Sequence, residues 1–186
     1  MKELNNTLNL AKSVGILIGI VWAVFIINSI TPFYNFNHLG IIPRTVRGLA
    51  GIICSPFLHA SLSHIISNTI PLFVLTFLLF SFYKKYALEV FAILILLSGS
   101  LVWLFARSAC HIGASGLIYA LAAFIVTSGF YSRNIRTSIL SIVVIFVYGG
   151  LIFGIFPTRF NVSWEGHLFG AISGIFVSYQ LFKGKI

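Results

Sequence analysis

Apolar residues occupy this chain in blocks too long for the elements of a soluble core. Uncharged runs cover 13–43, 48–83, 90–106, 108–132, 137–158 and 166–182. Each is long enough, or nearly so, for a helix of about 20 residues to cross the hydrocarbon core of a bilayer. The pattern predicts six transmembrane helices near 12–30, 57–83, 87–106, 115–131, 137–156 and 164–183, an all-α integral membrane fold. No Pro/Gly/Ser-rich linker, low-complexity tract or internal repeat divides them, so 1–186 reads as a single membrane domain.

Composition agrees: 59% of the residues are hydrophobic and 8% charged, where soluble chains carry about 25% charged residues. Alternating the loops between two sides places Lys2, Lys12, Lys84, Lys85, Arg133, Arg136, Lys183 and Lys185 on one face and Arg44, Arg47, Arg107 and Arg159 on the other. The excess on the first face puts both termini in the cytoplasm, and the compact form suits a bacterial inner membrane. A net charge of +9 also raises the question of nucleic acid. The cations sit at helix ends with no basic stripe or stacking platform, so no nucleic-acid partner is expected. A cleavable leader is a second reading of the first helix, but no A-x-A-like site follows Ile30, and the helix is retained as a span.

The stretch 31–55 is the longest that does not span. It holds Pro32, Pro43, Arg44 and Arg47 beside the apolar pairs Ile41-Ile42 and Leu49-Ala50, which suits an outer loop embedded in the interface and packed on protein. Cys54 and Cys110 both fall near outer helix ends. They read either as a disulfide on an oxidising face or, preferably, as two small buried thiols.

Polar residues inside the apolar blocks carry the chemistry, because such groups are expensive at membrane depth. Ser115, in Gly113-Ala-Ser115-Gly116, opens the fourth predicted helix. Alone it is better explained by helix capping than by nucleophilic chemistry, which needs a base. His167 supplies a candidate base at the start of the sixth helix, where Ser163 can cap and Gly170 and Gly174 form a small-residue face. Gly116 and Ala120 form a matching face on the fourth helix. If the two faces meet, Ser115 and His167 arrive at one depth, with Tyr119 a turn below to pack on the imidazole.

His64 and Asn68 are spaced i, i+4 on the second predicted helix and share one face. With the unpaired backbone N–H of Ser115 they offer three donors for a developing oxyanion; a structural network between helices explains them equally well. His59, five residues before His64, is expected to point elsewhere and organise the loop entering that helix. The chain has no Asp, and Glu3, Glu89 and Glu165 are its only acids. Serine chemistry must then run as a Ser-His dyad, and Glu165 reads as an acid favoured in a first helical turn.

These motifs resemble the rhomboid family of intramembrane serine proteases. The resemblance covers about 40–174 and rests on His59-x4-His64-x3-Asn68, Gly113-x-Ser115-Gly116 with Tyr119, and His167-x2-Gly170-x3-Gly174, in that order. It implies a six-helix bundle around a short central fourth helix, Ser115 as nucleophile, His167 as general base and then acid, and His64, Asn68 and the Ser115 backbone as oxyanion hole. It also implies sideways entry of a substrate's transmembrane helix between the second and fifth helices, a lid over Phe156 to Trp164, and a small residue before the cut. Partners would be transmembrane segments of membrane proteins within the lipid bilayer; the oligomeric state stays open. The first loop departs from the bacterial pattern by lacking a Trp-Arg pair, which leaves its anchoring open.

Other classes fit less well. A transporter usually shows coupling carboxylates and repeat symmetry, and neither is present. A haem or metal protein could draw on His38, His59, His64, His111 and His167, yet none is three or four residues from another, so no metal or other cofactor is expected. The alternative within the family is an inactive rhomboid-like binding or chaperone protein; the intact Ser115 and His167 argue against it.

Overall fold

A computed structural model describes residues 2–31, 35–157 and 162–183. Among them are the helices α1 (Lys2–Ile30), α2 (Gly51–Cys54), α3 (Leu62–Phe82), α4 (Ala87–Phe105), α5 (Ser115–Tyr131), α6 (Ile135–Tyr148) and α7 (Trp164–Phe182). A 3-10 helix, Gly149–Ile155, continues α6. The long helices fall on the expected stretches, except that α1 starts at Lys2, ten residues before the expected 12. α3 begins later than expected because Pro56 lies in a 3-10 turn and Ser61, in extended conformation, caps the helix by accepting from the His64 N–H.

Among the described residues, four helical segments are long and apolar enough to cross a membrane: Glu3–Ile30, Leu62–Phe82, Ala87–Phe105 and Ile135–Ile155. The other two long helices differ for identifiable reasons. α5 has 17 residues, about 25 Å of helix. α7 carries Glu165, Gly166, His167, Gly170, Ser173, Gly174 and Ser178, all buried, which lower its apolarity while fitting it to its neighbours.

α5 lies at the centre, packed most extensively on α7 and also on α3, α4 and α6. Its residues Leu121, Phe124, Ile125 and Ser128 are wholly buried. The outer helices turn apolar side chains such as Ile70, Phe105 and Phe146 outward, as a bundle dissolved in lipid must. Lipid tails are as apolar as leucine, so close packing and interhelical hydrogen bonds hold the bundle together. A Cβ on Gly170 would lie 2.1 Å from the Gly116 carbonyl oxygen, and one on Gly174 would lie 2.2 Å from that of Ala120. The small faces on α5 and α7 therefore meet backbone to backbone. Trp22 Nε1 donates to Thr69 Oγ1 between α1 and α3 at 3.1 Å, and Ser141 Oγ donates to the Val126 carbonyl between α6 and α5 at 2.6 Å.

The first loop, described from residue 35 onward, is packed on protein, in keeping with an embedded segment; Pro32 lies outside the described residues. Arg44 fixes it to the end of α4. Its guanidinium donates to the carbonyls of Leu104 and Ala106 at 3.1 and 2.8 Å, while Trp103 Nε1 donates to the Thr45 carbonyl at 2.8 Å. A cation at a helix C-terminus is favoured by the dipole there. A Trp and an Arg do anchor the loop, but from α4 and the loop respectively, a pairing invisible in the loop sequence.

Candidate active site

The site is built where three helices begin. His64 and Asn68 lie one turn apart on α3, and Asn68 Nδ2 donates to the His64 carbonyl at 3.0 Å. The loop before α5 runs against them. Gly113 has φ +114, and a Cβ there would lie 2.6 Å from His64 Nε2 and 3.9 Å from Asn68 Nδ2. Only glycine tolerates both that backbone conformation and that approach. The backbone leading into Ser115 is thereby held beside both side chains.

Ser115 is the first residue of α5 and half-buried. Its backbone N–H, in the first turn, has no intrahelical acceptor. Gly116 faces the segment before His167: a Cβ on it would lie 3.2 Å from the Gly166 carbonyl oxygen. One turn further, the Tyr119 ring stacks on the imidazole of His167 with centroids 4.2 Å apart and planes 3° from parallel. His167 Nδ1 lies 2.8 Å from the Gly154 carbonyl oxygen. A carbonyl only accepts, so Nδ1 carries the proton and Nε2 presents its lone pair.

A second network holds the start of α7. Ser163 caps it by accepting from the Gly166 N–H, and His111 Nδ1 is 2.7 Å from the Ser163 hydroxyl. Arg107 pairs with the buried Glu165 at 3.5 Å and donates to the Val162 carbonyl at 2.9 Å. His111 is in turn joined to the first loop by two backbone hydrogen bonds with Ile41, of 3.0 and 2.8 Å. A cavity of about 40 Å³ lies among these elements, lined in part by Ser55, Ser98, His111, Ser115 and Ser163. A water needs roughly 10–15 Å³ of such space and two to four polar partners, so this cavity can hold water beside Ser115.

With this geometry in view, the Rhomboid domain family model matches residues 46–184. The chain belongs to the rhomboid family. Uncharacterized proteins of Mycobacterium tuberculosis and Mycobacterium bovis are each 40% identical to it over 151 residues, 76% of this chain and 63% of theirs. One from Mycobacterium leprae is 35% identical over 172 residues, 88% of this chain and 68% of its own. The match thus spans less than two thirds of the M. tuberculosis and M. bovis relatives. No solved structure matches. Rhomboid membership and the apolar helices together make this a multi-pass integral membrane protein.

Several expectations for this rhomboid protein change in the structure. His59 does not point away from His64: their rings meet edge to face with centroids 4.9 Å apart. His59 precedes α3, so helical spacing does not set its direction. The cysteines are unpaired, but Cys54 is half-buried and Cys110 exposed, so neither is the buried thiol expected. Cys110 Sγ donates to the Asn37 carbonyl at 3.2 Å. Glu165 is more than a first-turn acid, since it forms the ion pair with Arg107. Of the expected lid, residues 158–161 lie outside the described residues. No cluster of three potential metal ligands occurs among the described residues.

Sequence reasoning missed Gly154, Arg107 and the positioning use of His111. The first acts through a backbone carbonyl and had no side-chain signal. His59 leads to a pH prediction. It is 1% exposed, and among the described residues neither ring nitrogen has a hydrogen-bond partner of good geometry; burial, and secondly the charge of His64, lower its pKa from 6.5 to about 4, with the Phe57 backbone pulling more weakly the other way. The folded protein therefore binds that proton later than the unfolded chain does, and stability present above pH 6.5 is lost as pH falls toward about 4. Melting curves over this window should show a steeper decline for wild type than for His59→Leu.

Proposed function

We propose that this rhomboid protein is an intramembrane serine endopeptidase that cleaves transmembrane segments of membrane proteins with a Ser115–His167 dyad. The observation that carries the reading is the state of His167: its ring stacked on Tyr119 of α5 and its Nδ1–H donated to the Gly154 carbonyl, which leaves the basic lone pair on Nε2. In this reading the Gly154 carbonyl does for the imidazole what a carboxylate does in a triad. It fixes the tautomer and favours the imidazolium that forms when the base takes a proton.

Ser115 Oγ attacks the scissile carbonyl while His167 Nε2 accepts its proton. His167 then protonates the leaving amine, and water from the neighbouring cavity hydrolyses the acyl-enzyme. The tetrahedral oxyanion is received by the Ser115 N–H, Asn68 Nδ2 and the His64 ring, which the close approach of Gly113 keeps together. His59 buttresses His64. Gly116, Gly170 and Gly174 set the depth at which α5 and α7 meet, so they position the dyad without touching substrate.

The topology proposed with this activity has six spans around the short central α5, both termini cytoplasmic, and the site near the outer leaflet. The whole chain acts as one domain. Substrate helices enter from the bilayer and unwind locally to expose a peptide carbonyl.

The test is cleavage of a fluorogenic transmembrane peptide by the purified protein in liposomes. Wild type should cleave it. Asn68→Ala should cut the rate by about 100-fold, the usual loss for one oxyanion donor, with KM little changed. Wild-type rates from Asn68→Ala would remove this side chain from the oxyanion hole.

A further inference from the structure

At the end of the bundle remote from Ser115, the helix ends enclose a basic pocket. α3 and α4 meet there across 83–86, α5 and α6 across 132–134, and α7 ends beside them at Phe182. Ser115 opens α5 and the pocket lies past its other end, 17 residues on, about 25 Å of helix. The two sites therefore lie at opposite membrane interfaces.

The pocket has a volume of about 510 Å³, within the range of about 300–1,000 Å³ common for small-molecule sites. Lys84, Lys85 and Arg136 line it, with Ser132 and Asn134 as neutral polar groups. Among the described residues no carboxylate lines it and no ion pair engages Lys84, Lys85 or Arg136. Glu89, in the first turn of α4, is exposed and outside the lining. Asn134 caps α6 by accepting from the Arg136 N–H at 2.9 Å, which leaves its amide hydrogens as donors. The start of α6 adds the partial positive charge of a helix N-terminus. Three cations gathered around one concavity with no acid among the described residues call for an anion.

Which anion follows from the surroundings. The pocket sits at helix ends, where Tyr86 lines it and the Lys85 ammonium lies 5.2 Å from the centre of that ring. Tyrosine at this depth marks the headgroup level of a bilayer. Phe82, also in the lining at the end of α3, is 45% exposed. A ligand with a phosphate in the basic part and acyl chains along Phe82 satisfies both halves. We infer that the pocket enclosed by Lys84, Lys85 and Arg136 binds the phosphate-bearing headgroup of an anionic phospholipid.

Native mass spectrometry of the detergent-purified protein tests this with phosphatidylglycerol, phosphatidylcholine and inorganic phosphate as probes. Wild type should retain phosphatidylglycerol in preference to phosphatidylcholine. Lys84→Gln/Lys85→Gln/Arg136→Gln should weaken that retention at least about tenfold, in line with the attraction basic residues exert on anionic headgroups, and Lys85→Gln alone should weaken it partly. Lys12→Gln, an exposed cation outside the pocket, should leave it unchanged. Equal retention of both lipids, or undiminished phosphatidylglycerol on the folded triple variant, overturns the inference. A rise in melting temperature with inorganic phosphate but none with phosphatidylglycerol assigns the site to a soluble phosphate and overturns the lipid.

Discussion

Ser115→Ala and His167→Ala are each expected to lower cleavage of a transmembrane substrate by at least about 1,000-fold, because a nucleophile and its base act as one unit. The double variant should then be no worse than either single one. The two should differ in stability. Ser115 is half-buried and its hydroxyl caps nothing, since Ala114 holds the cap position, so Ser115→Ala should melt close to wild type. His167→Ala removes the stack on Tyr119 and leaves the Gly154 carbonyl without its donor, which should cost about 1–3 kcal/mol. Rates and melting curves measured on the same samples check both halves. A Ser115→Ala protein that still cleaves removes the serine from the chemistry.

Gly170→Val should unfold the bundle or lower its stability by at least about 3 kcal/mol. The first atom of any side chain there would meet the Gly116 carbonyl at 2.1 Å and the Ala120 nitrogen at 3.3 Å. Both are helical backbone, so neither can give way without moving α5 off α7. In the proposed dyad that shift would also move His167 relative to Ser115, and activity should fall even in whatever fraction stays folded. Gly149→Ala is the control: nothing lies within 4 Å of a Cβ there, so it should leave the melting temperature near wild type. Equal melting of all three proteins would mean that α5 and α7 do not meet through Gly170.

The all-helical membrane character was legible because long apolar helices declare themselves, four of them among the described residues, and the α5–α7 contact because Gly170 and Gly174 on one helix match Gly116 and Ala120 on another. Helical spacing pairs His64 with Asn68 and Ser115 with Tyr119, and the matching small faces bring His167 toward Tyr119; that α3 joins them is implied in the sequence only by the family resemblance. Spacing fails outside helices. His59 was placed facing away by a rule that holds only within a helix, and the structure sets it against His64. The Arg107–Glu165 pair joins residues from different segments, as does the bond from the Gly154 carbonyl to His167. Neither partner predicts the other along the chain, and a carbonyl is common to every residue. The basic pocket of Lys84, Lys85 and Arg136 was visible in sequence only as charge at helix ends; its concavity comes from how the helices converge.

The central claim is that His167 activates Ser115. The direct measurement is labelling of the folded, detergent-solubilised protein with a fluorophosphonate, with the modified residue located by peptide mass spectrometry. Wild type should be labelled on Ser115, and both Ser115→Ala and His167→Ala should remain unlabelled while folded. Labelling of wild type at another residue, or undiminished labelling of Ser115 in His167→Ala, would contradict the account.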